Sequence, residues 1–222
     1  STSERARIIA ALIEGNSLRS ASRLCNVAFN PEQKADGRGD VLTWTVIDPD
    51  TRLCISYMVA GRHSARAFDF MQGVSCRVRR RAQLTTDGHK PHLEAVENAL
   101  GMDVDFATLQ KTYGAPNEPE KRYSPAKCIG CEMKTVLGDP DPKHASTSYA
   151  ERQNLTTRMS MRRFTRLTNA YSKKVENHAA PVALHFIHYN FARIHKTLRI
   201  TPATAAGIPD HAWLYEEIAM LA

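Results

Sequence analysis

The sequence predicts a mixed α/β fold, because strand-like and helix-like patterns both occur and do not alternate regularly. Two runs rich in β-branched and aromatic residues, 41–47 and 53–59, flank an Asp-Pro-Asp turn signal at 48–50 and indicate an antiparallel hairpin. Helical spacing dominates over 148–169 and again over 175–192. A doubly wound sheet would alternate strand and helix throughout, so this order favours a mixed sheet flanked by helices.

The middle of the chain combines helices with short strands. Residues 64–80 have helical spacing, and 82–86 form a strand-like run that ends at Asp87. A second helix is expected over 91–100, and a further strand over 104–109. These elements extend the hairpin into a larger α/β core.

The first residues have the spacing of a helix start. Ser1 and Glu4 fit a capping box, apolar residues follow at helical spacing, and a second short helix is expected over 17–24. We interpret 1–28 as a partial helix-turn-helix DNA-binding segment that precedes a main domain over 29–222. A plain helical hairpin stays open as the alternative, because the third, groove-reading helix does not follow.

The composition is that of a folded soluble protein. No apolar run is long enough to cross a bilayer, and the chain does not start with a signal-peptide pattern, so we expect no membrane partner. Five cysteines, an odd number, favour a reducing compartment over a disulfide framework. These features together predict a cytoplasmic protein.

The basic residues are unevenly distributed in a chain whose formal net charge is +7. A basic surplus favours polyanionic partners, because each Lys or Arg that neutralises a phosphate releases a counterion. Between positions 152 and 174 seven basic residues occur without an acidic one: Arg152, Arg158, Arg162, Arg163, Arg166, Lys173 and Lys174. A second basic cluster comprises Arg77, Arg79, Arg80 and Arg81. A solvated helix face usually mixes the two signs of charge, so the first run favours contact with a phosphate backbone.

Two carboxylates occupy positions that suit chemistry. Asp87 follows the strand-like run 82–86 and precedes Gly88, where it would project past the edge of a sheet; the alternative is an ordinary turn aspartate. Glu151 lies in the first turn of the basic helix, where it would also interact favourably with the helix dipole. Phosphodiester cleavage commonly uses two Mg²⁺ ions held by a few carboxylates from different elements. Asp87 and Glu151 would supply two of them.

Four stretches resemble the sequence blocks of IS1-like insertion-sequence transposases. They are LTTDGH at 84–89, KRYSPAKCIGC at 121–131, STSYAERQNLTTRMSMRRFTR at 146–166 and HFIHYNFARIHKTLRITP at 185–202. The resemblance covers most of the chain from Asn30 onward, and the block through Glu151 is highly specific. Residues 1–28 are similar to the helix-turn-helix start of that family.

The resemblance implies a fold, a reaction and partners. The fold would be an RNase H-like mixed sheet flanked by helices, of the retroviral-integrase superfamily, with Asp87 as the second and Glu151 as the third acid of a DDE triad that binds Mg²⁺ or Mn²⁺. The closing motif, implied to pack and to contact the DNA backbone, matches at Tyr189, Asn190, Arg193 and His195, followed by Lys196. The partners would be double-stranded DNA, as transposon ends and target, and further copies of the chain in a homodimer or higher oligomer. The setting would be the bacterial nucleoid.

One part of the family pattern is missing. Family members carry the first aspartate on an initial core strand, between the DNA-binding helices and the strand that contains Trp44. After Ala28 that strand and the recognition helix are absent, and Asp40, Asp48 and Asp50 on the flanking loops are poor substitutes. Either residues are missing from the sequence or a true deletion has occurred. The loss of a central strand would leave backbone groups on both of its sides unpaired.

Residues 111–146 contain several Pro and Gly residues and predict a loop-rich insertion. Within it Cys128 and Cys131 form half of a zinc knuckle, for which His144 is a third candidate ligand. No fourth ligand is evident, so a structural zinc site and a pair of reduced, buried thiols are both open.

The leading hypothesis is a DNA transposase that binds the terminal repeats of an insertion sequence, cleaves DNA and transfers the strand to a target. The alternative is a catalytically defective DNA-binding relic, or a regulator of transposition, that lacks the first acid. A nuclease on the same fold is less favoured, because the basic run and the sequence blocks point to transposition.

Overall fold

A computed structural model describes residues 2–13, 41–61, 64–114, 128–165 and 175–221. The chain forms two compact units, the first comprising Ser1–Gly61 with Tyr149–Ala222 and the second Arg62–Ser148. The predicted boundary at residue 28 and the predicted helix over 17–24 lie outside the described residues, so both stay predictions.

The described residues confirm a mixed α/β protein. The strands are β1 (Val41–Ile47), β2 (Cys54–Gly61), β3 (Ala82–Thr86), β4 (Val104–Tyr113) and β5 (Cys128–Leu137). The α-helices are α1 (Thr2–Ile13), α2 (Ser64–Ser75), α3 (Lys90–Leu100), α4 (Ser148–Ser160), α5 (Val175–Ile187), α6 (Pro202–Ala205) and α7 (Tyr215–Met220). Shorter 3₁₀ turns lie at Gly101–Asp103, Pro142–His144 and Arg162–Phe164, and a π-helical turn at His188–Ala192 follows α5.

The first unit is built around the predicted hairpin. β1 and β2 are antiparallel, with Trp44 opposite Met58, and they form a two-stranded sheet of their own. The buried side chains of Cys54, Val182 and Phe186 join the hairpin to α5, and the Tyr57 ring stacks on Phe186 with ring centroids 4.7 Å apart. α1 contacts α5 and α7, so the N-terminal and C-terminal helices belong to the same unit.

Asn190 fastens the π-helical turn to the hairpin. Its Nδ2 donates to the Cys54 carbonyl at 2.9 Å, and its Oδ1 accepts from the Cys54 amide at 3.0 Å. Both backbone groups of a buried strand residue are therefore satisfied by one carboxamide. Next to it, the Tyr189 hydroxyl donates to the carbonyl of Arg52 at 3.1 Å. The two contacts fix the turn that ends at Arg52 relative to the C-terminal helices.

The second unit contains a three-stranded mixed sheet in the order β3-β4-β5. β3 and β4 are parallel and are connected through α3, as a parallel pair requires, whereas β4 and β5 are antiparallel. Val104, Phe106 and Ala107 of β4 are buried, and so is the apolar face of α2, which packs on α3. This core places Asp87 at the carboxyl end of β3.

A charged corner closes the second unit. The Arg81 guanidinium binds the Asp105 carboxylate through two hydrogen bonds of 2.6 and 2.9 Å, and the amide of Asp139 donates to the same carboxylate at 2.8 Å. These contacts, with Arg81 foremost, lower the pKa of Asp105 to about 2. Gly138 has a φ of 68°, and a Cβ there would collide with Asp105 Oδ1. The corner therefore needs glycine at 138.

The structure corrects several predicted boundaries. The basic helix ends at Ser160 instead of continuing to 169, and the helix that begins at Ser64 ends at Ser75 instead of residue 80. Residues 128–137, inside the predicted loop-rich insertion, form β5, because pairing with β4 outweighs the local Pro and Gly signals. Within the described residues, no helix combines the length and the apolarity that a membrane span requires.

We expect Gly138→Ala to destabilise the second unit by more than about 2 kcal/mol, because it adds both a collision and a strained backbone. Gly101 also has a positive φ, of 54°, but open space around it, so Gly101→Ala isolates the backbone strain. Gly130→Ala, at a site with neither feature, is the neutral control. Amide hydrogen exchange of β4 measures all three, and equal protection in the three variants would contradict the prediction.

We expect Asn190→Asp to destabilise the first unit by more than about 2 kcal/mol, because a charged oxygen replaces the donor that faces the Cys54 carbonyl. Trp44 and Trp213, the two tryptophans of the chain, both belong to the first unit, so tryptophan fluorescence during denaturation follows that unit alone. Asn154→Asp, at an exposed position of α4, is the matched control and should change stability by less than about 0.5 kcal/mol.

Candidate functional site

Asp87 lies just beyond β3 with an exposed carboxylate. One of its oxygens accepts from the His89 amide at 3.2 Å, and Gly88 takes a φ of 79° so that the chain can turn into α3. This is the geometry of a turn aspartate, yet three-quarters of the side chain is solvent-exposed. The carboxylate therefore has oxygen lone pairs that face solvent and are available to a ligand.

Two histidines lie beside Asp87. The rings of His89 and His92 meet edge to face with centroids 5.4 Å apart, and His92 Nδ1 is 4.0 Å from an Asp87 oxygen. Burial lowers the pKa of His92, and the charge of Asp87 only partly offsets this effect. A neutral imidazole beside the carboxylate leaves the negative charge of Asp87 uncompensated by an ion pair with His92 near neutral pH.

Glu151 is exposed in the first turn of α4, as predicted. The buried face of α4 carries Gln153 and Thr157, which are one helical turn apart, and Thr157 Oγ1 lies 3.4 Å from His185 Nε2. Because α4 packs through this face, Glu151 and Arg152 on the opposite face are directed to solvent.

The basic run is not one continuous helical face. Arg152 and Arg158 are exposed on α4, whereas Arg162 and Arg163 lie on the 3₁₀ turn that follows the helix. Arg163 Nη1 donates to the Asn177 carbonyl at 3.4 Å, and burial lowers the pKa of Arg163, so this residue also has a structural role. An open groove between α4 and the turn is lined by Arg158, Met159, Phe164 and Thr165. The remaining three candidates, Arg166, Lys173 and Lys174, lie outside the described residues.

Arg81, a member of the second basic cluster, is held by Asp105 and serves the charged corner. Arg79 and Arg80 are exposed. Sequence reasoning could not separate these roles, because the partner of Arg81 comes from a different strand.

Arg52 is a cation that the sequence did not single out. It ends the turn between β1 and β2 with a φ of 64°, a backbone conformation that residues other than glycine rarely adopt. The centre of its guanidinium lies 4.2 Å from the centroid of the Tyr149 ring, on the first turn of α4. The turn itself is closed by Asp48, whose carboxylate accepts from Asp50 and Thr51, so Asp48 is already occupied there. A positive φ on arginine is not visible in a sequence.

The closing motif brings further cations to the same unit. Arg193 and Lys196 are exposed after the π-helical turn, and His195 is partly buried. Burial lowers the pKa of His195, and the charges of Arg52, Arg193 and Arg152 lower it further. Three guanidinium groups from three separate segments therefore act on one imidazole.

The predicted acids are distributed over both units, Asp87 in the second and Glu151 in the first. Among the described residues, no group of three or more His, Cys, Asp or Glu side chains is close enough to hold a metal ion. Comparison with protein-family models, with curated proteins and with solved structures finds no match to this chain.

Cys128 and Cys131 lie on β5, and both side chains are exposed. The prediction that they form a pair of buried thiols is therefore wrong. Their sulfurs are 3.8 Å apart. Two thiolates on one tetrahedral zinc ion, each at about 2.3 Å from the metal, would be separated by roughly the same distance. His144 lies near Asp141, with 3.8 Å between Nε2 and a carboxylate oxygen, and within the described residues it forms no three-ligand group with the cysteines.

We expect the exposed thiols of Cys76, Cys128 and Cys131 to react rapidly with a thiol reagent, and Cys54 to react slowly. Burial raises the pKa of Cys54 to about 12, so almost no thiolate is present at neutral pH. Mass spectrometry of the labelled peptides measures each rate. If zinc is bound, Cys128 and Cys131 should be protected until a chelator is added; fast labelling together with absent zinc would exclude the zinc site.

We expect the stability of the first unit to fall with acid through His185. Burial, and then the positive charges of His188 and Arg193, lower its pKa to about 4, against a usual value of 6.5. In the unfolded chain His185 takes up a proton with a pKa of about 6.5, whereas in the folded chain it does so only near pH 4. The contribution of His185 to stability is therefore fully present above pH 6.5 and is lost as the pH falls from 6.5 to about 4. The loss should reach about 2–3 kcal/mol by pH 4.5.

Denaturation followed by tryptophan fluorescence at pH 7 and pH 4.5 measures this effect. His185→Gln should remove this share of the acid sensitivity. His211→Gln is the control of opposite sign. The hydrogen bonds that the His211 ring donates to Asp210 and Glu217 raise the pKa of His211, so its contribution to stability is present at low pH and lost as the pH rises. Parallel pH profiles for the wild type and His185→Gln would contradict the assignment.

Proposed function

We propose that the chain is a DDE-type DNA transposase of the IS1-like kind, acting by phosphoryl transfer on DNA. The observation that carries the proposal is an exposed acid, Glu151, at the start of a helix whose solvent face continues into arginines. A carboxylate next to guanidinium groups suits a site that binds a divalent cation and a phosphate backbone side by side. The four sequence blocks that resemble this family add support from outside the geometry.

The secondary-structure order is compatible with an RNase H-like sheet, which we include in the proposal. A hairpin comes first, followed by a parallel pair, β3 and β4, joined by α3. The described strands form a two-stranded sheet, β1-β2, and a three-stranded sheet, β3-β4-β5.

The proposed roles follow from the chemistry of each side chain. Asp87 and Glu151 supply exposed carboxylate oxygens, the ligands that Mg²⁺ or Mn²⁺ prefers. When bound, the metal would polarise the scissile phosphate and help to activate water for in-line attack at phosphorus. The phosphorus–O3′ bond breaks and leaves a free 3′-hydroxyl, which later attacks a target phosphodiester without a covalent enzyme intermediate. Phosphate contacts would come from Arg152, Arg158, Arg162, Arg193, His195 and Lys196.

The proposal also includes the partners of the chain and the place where it acts. Double-stranded DNA would be bound both as transposon end and as target, by a homodimer or a higher oligomer, since two ends must be joined. The bacterial nucleoid in the cytoplasm would be the place of action.

A second candidate function has an observation in its favour. Among the described residues, the strand that contains Trp44 pairs only with β2, and no acid-bearing strand lies on its other side. A chain without the first acid would have weaker metal binding but would keep its cations. It would then act as a defective DNA-binding relic or as a regulator of transposition.

We expect the wild type to nick supercoiled plasmid DNA in the presence of Mg²⁺ or Mn²⁺. The variants Glu151→Gln and Asp87→Asn should each lower the rate of nicking by at least about 100-fold. Both variants should bind a DNA duplex as well as the wild type or better, because each removes a negative charge near phosphate. Gel electrophoresis measures nicking and a gel shift measures binding.

Glu176→Gln is the matched control, because Glu176 is also an exposed glutamate in the first turn of a helix of the first unit. It should leave nicking unchanged. Binding without nicking by the wild type would favour the relic or regulator. Loss of binding together with nicking in Glu151→Gln would count against its proposed role.

A further inference from the structure

Arg52 belongs to a cluster of cations in the first unit that residue spacing does not predict. Its guanidinium stacks on Tyr149, three residues before Arg152 on the same helix. The Tyr189 hydroxyl, just ahead of Arg193, holds the Arg52 carbonyl at 3.1 Å. The β1–β2 turn, α4 and the closing motif thus meet at one place.

The charges of three arginines act on the imidazole of His195. Burial is the main reason for its lowered pKa, and the next causes are the charges of Arg52, Arg193 and Arg152. Burial raises the pKa of Tyr189, and the charges of two of these arginines, Arg193 and Arg52, act in the opposite direction. All these groups belong to the first unit.

In the described part of the chain, the arginines of this cluster are not paired with carboxylates. Within the described residues, no carboxylate forms an ion pair with Arg52, Arg152 or Arg193. Arg52 Nη1 and His195 Nδ1 are buried from solvent and have no hydrogen-bond partner in the described part of the chain. A buried guanidinium N–H without a partner is costly, and an anion that accepts from Arg52 Nη1 would remove that cost.

The β1–β2 turn fixes the backbone of Arg52. Glycine would adopt 64° without strain, yet the chain has a long charged side chain there, fixed by the backbone hydrogen bond from the Arg52 amide to the Asp48 carbonyl at 2.9 Å.

We propose that Arg52, Arg152, Arg193 and His195 form one binding site for a single phosphodiester group of the DNA backbone. Planar guanidinium forks match the paired oxygens of a phosphate, and the stacking of Arg52 on Tyr149 orients its fork in advance. The inference deepens the proposed function, on which the identity of the ligand as DNA rests. Arg152 follows Glu151 directly, so the site holds the phosphate backbone next to the proposed metal ligand.

The first test uses a mixed-sequence 30-base-pair duplex and the whole chain. Arg52→Gln should weaken binding about tenfold at 0.1 M salt and reduce the slope of log affinity against log salt by about 0.9, the value for one phosphate contact. Arg199→Gln is the matched control: Arg199 is an exposed arginine of the same unit with the same φ of 64°, and it is not among the charges acting on His195. It should bind within about twofold of the wild type.

The second test uses inorganic phosphate alone. At about 50 mM it should raise the midpoint of thermal unfolding of the first unit, followed by tryptophan fluorescence, by a few degrees relative to sodium chloride of equal ionic strength. Arg52→Gln should abolish this gain and Arg199→Gln should keep it. Arg52→Gly, which relieves the backbone, checks that the loss comes from the missing guanidinium and not from misfolding.

The two tests separate the site from the proposed function. A phosphate gain that depends on Arg52, without duplex binding by the wild type, would keep the anion site and overturn the transposase. Duplex binding with an unchanged salt slope in Arg52→Gln, or an equal phosphate gain in both arginine variants, would overturn the site and leave the transposase standing.

Discussion

The carboxamide of Asn190 is the constraint on which the first unit depends. A hairpin of two strands is marginal by itself, and here the backbone groups of Cys54 are satisfied by a side chain from a π-helical turn far along the chain. The π-helical turn makes this possible, because it buries Tyr189 and Asn190 in succession, one to hold the Arg52 carbonyl and the other to hold Cys54. Two of the cations proposed to bind phosphate adjoin this junction: Arg52, whose carbonyl Tyr189 holds, and Arg193, which follows the π-helical turn.

Charge is used differently in the two units. In the second unit Arg81 and Asp105 compensate each other, and the pair serves the packing of a sheet corner around a required glycine. In the first unit the guanidinium groups around His195 are stacked on an aromatic ring or exposed and, among the described residues, are not matched by carboxylates. Paired charges stabilise a fold locally, whereas unpaired charges of one sign favour a partner of the opposite sign. Composition alone cannot tell these uses apart.

Local patterns were sufficient for most elements and insufficient for their ends. The hairpin, β3, α3 and the helical character of α4 and α5 follow from residue periodicity and turn residues, and the described structure confirms them. The end of α4 at Ser160 and the strand over 128–137 were missed, because helix ends depend on tertiary packing and β5 depends on pairing with a distant strand. At the candidate site, the exposure of Asp87 and Glu151 was foreseeable from their places in the pattern, but the structural use of Arg163 was not.

The sequence by itself determined the types of residue available: two acids at the ends of regular elements, a run of cations without acids, and a pair of nearby cysteines. Only the tertiary structure decided which of them act together. Arg52, Tyr149 and His195 lie far apart along the chain, and no spacing rule connects them. Their convergence depends on side-chain contacts across three segments and on a left-handed backbone at one arginine, both of which are properties of the folded chain.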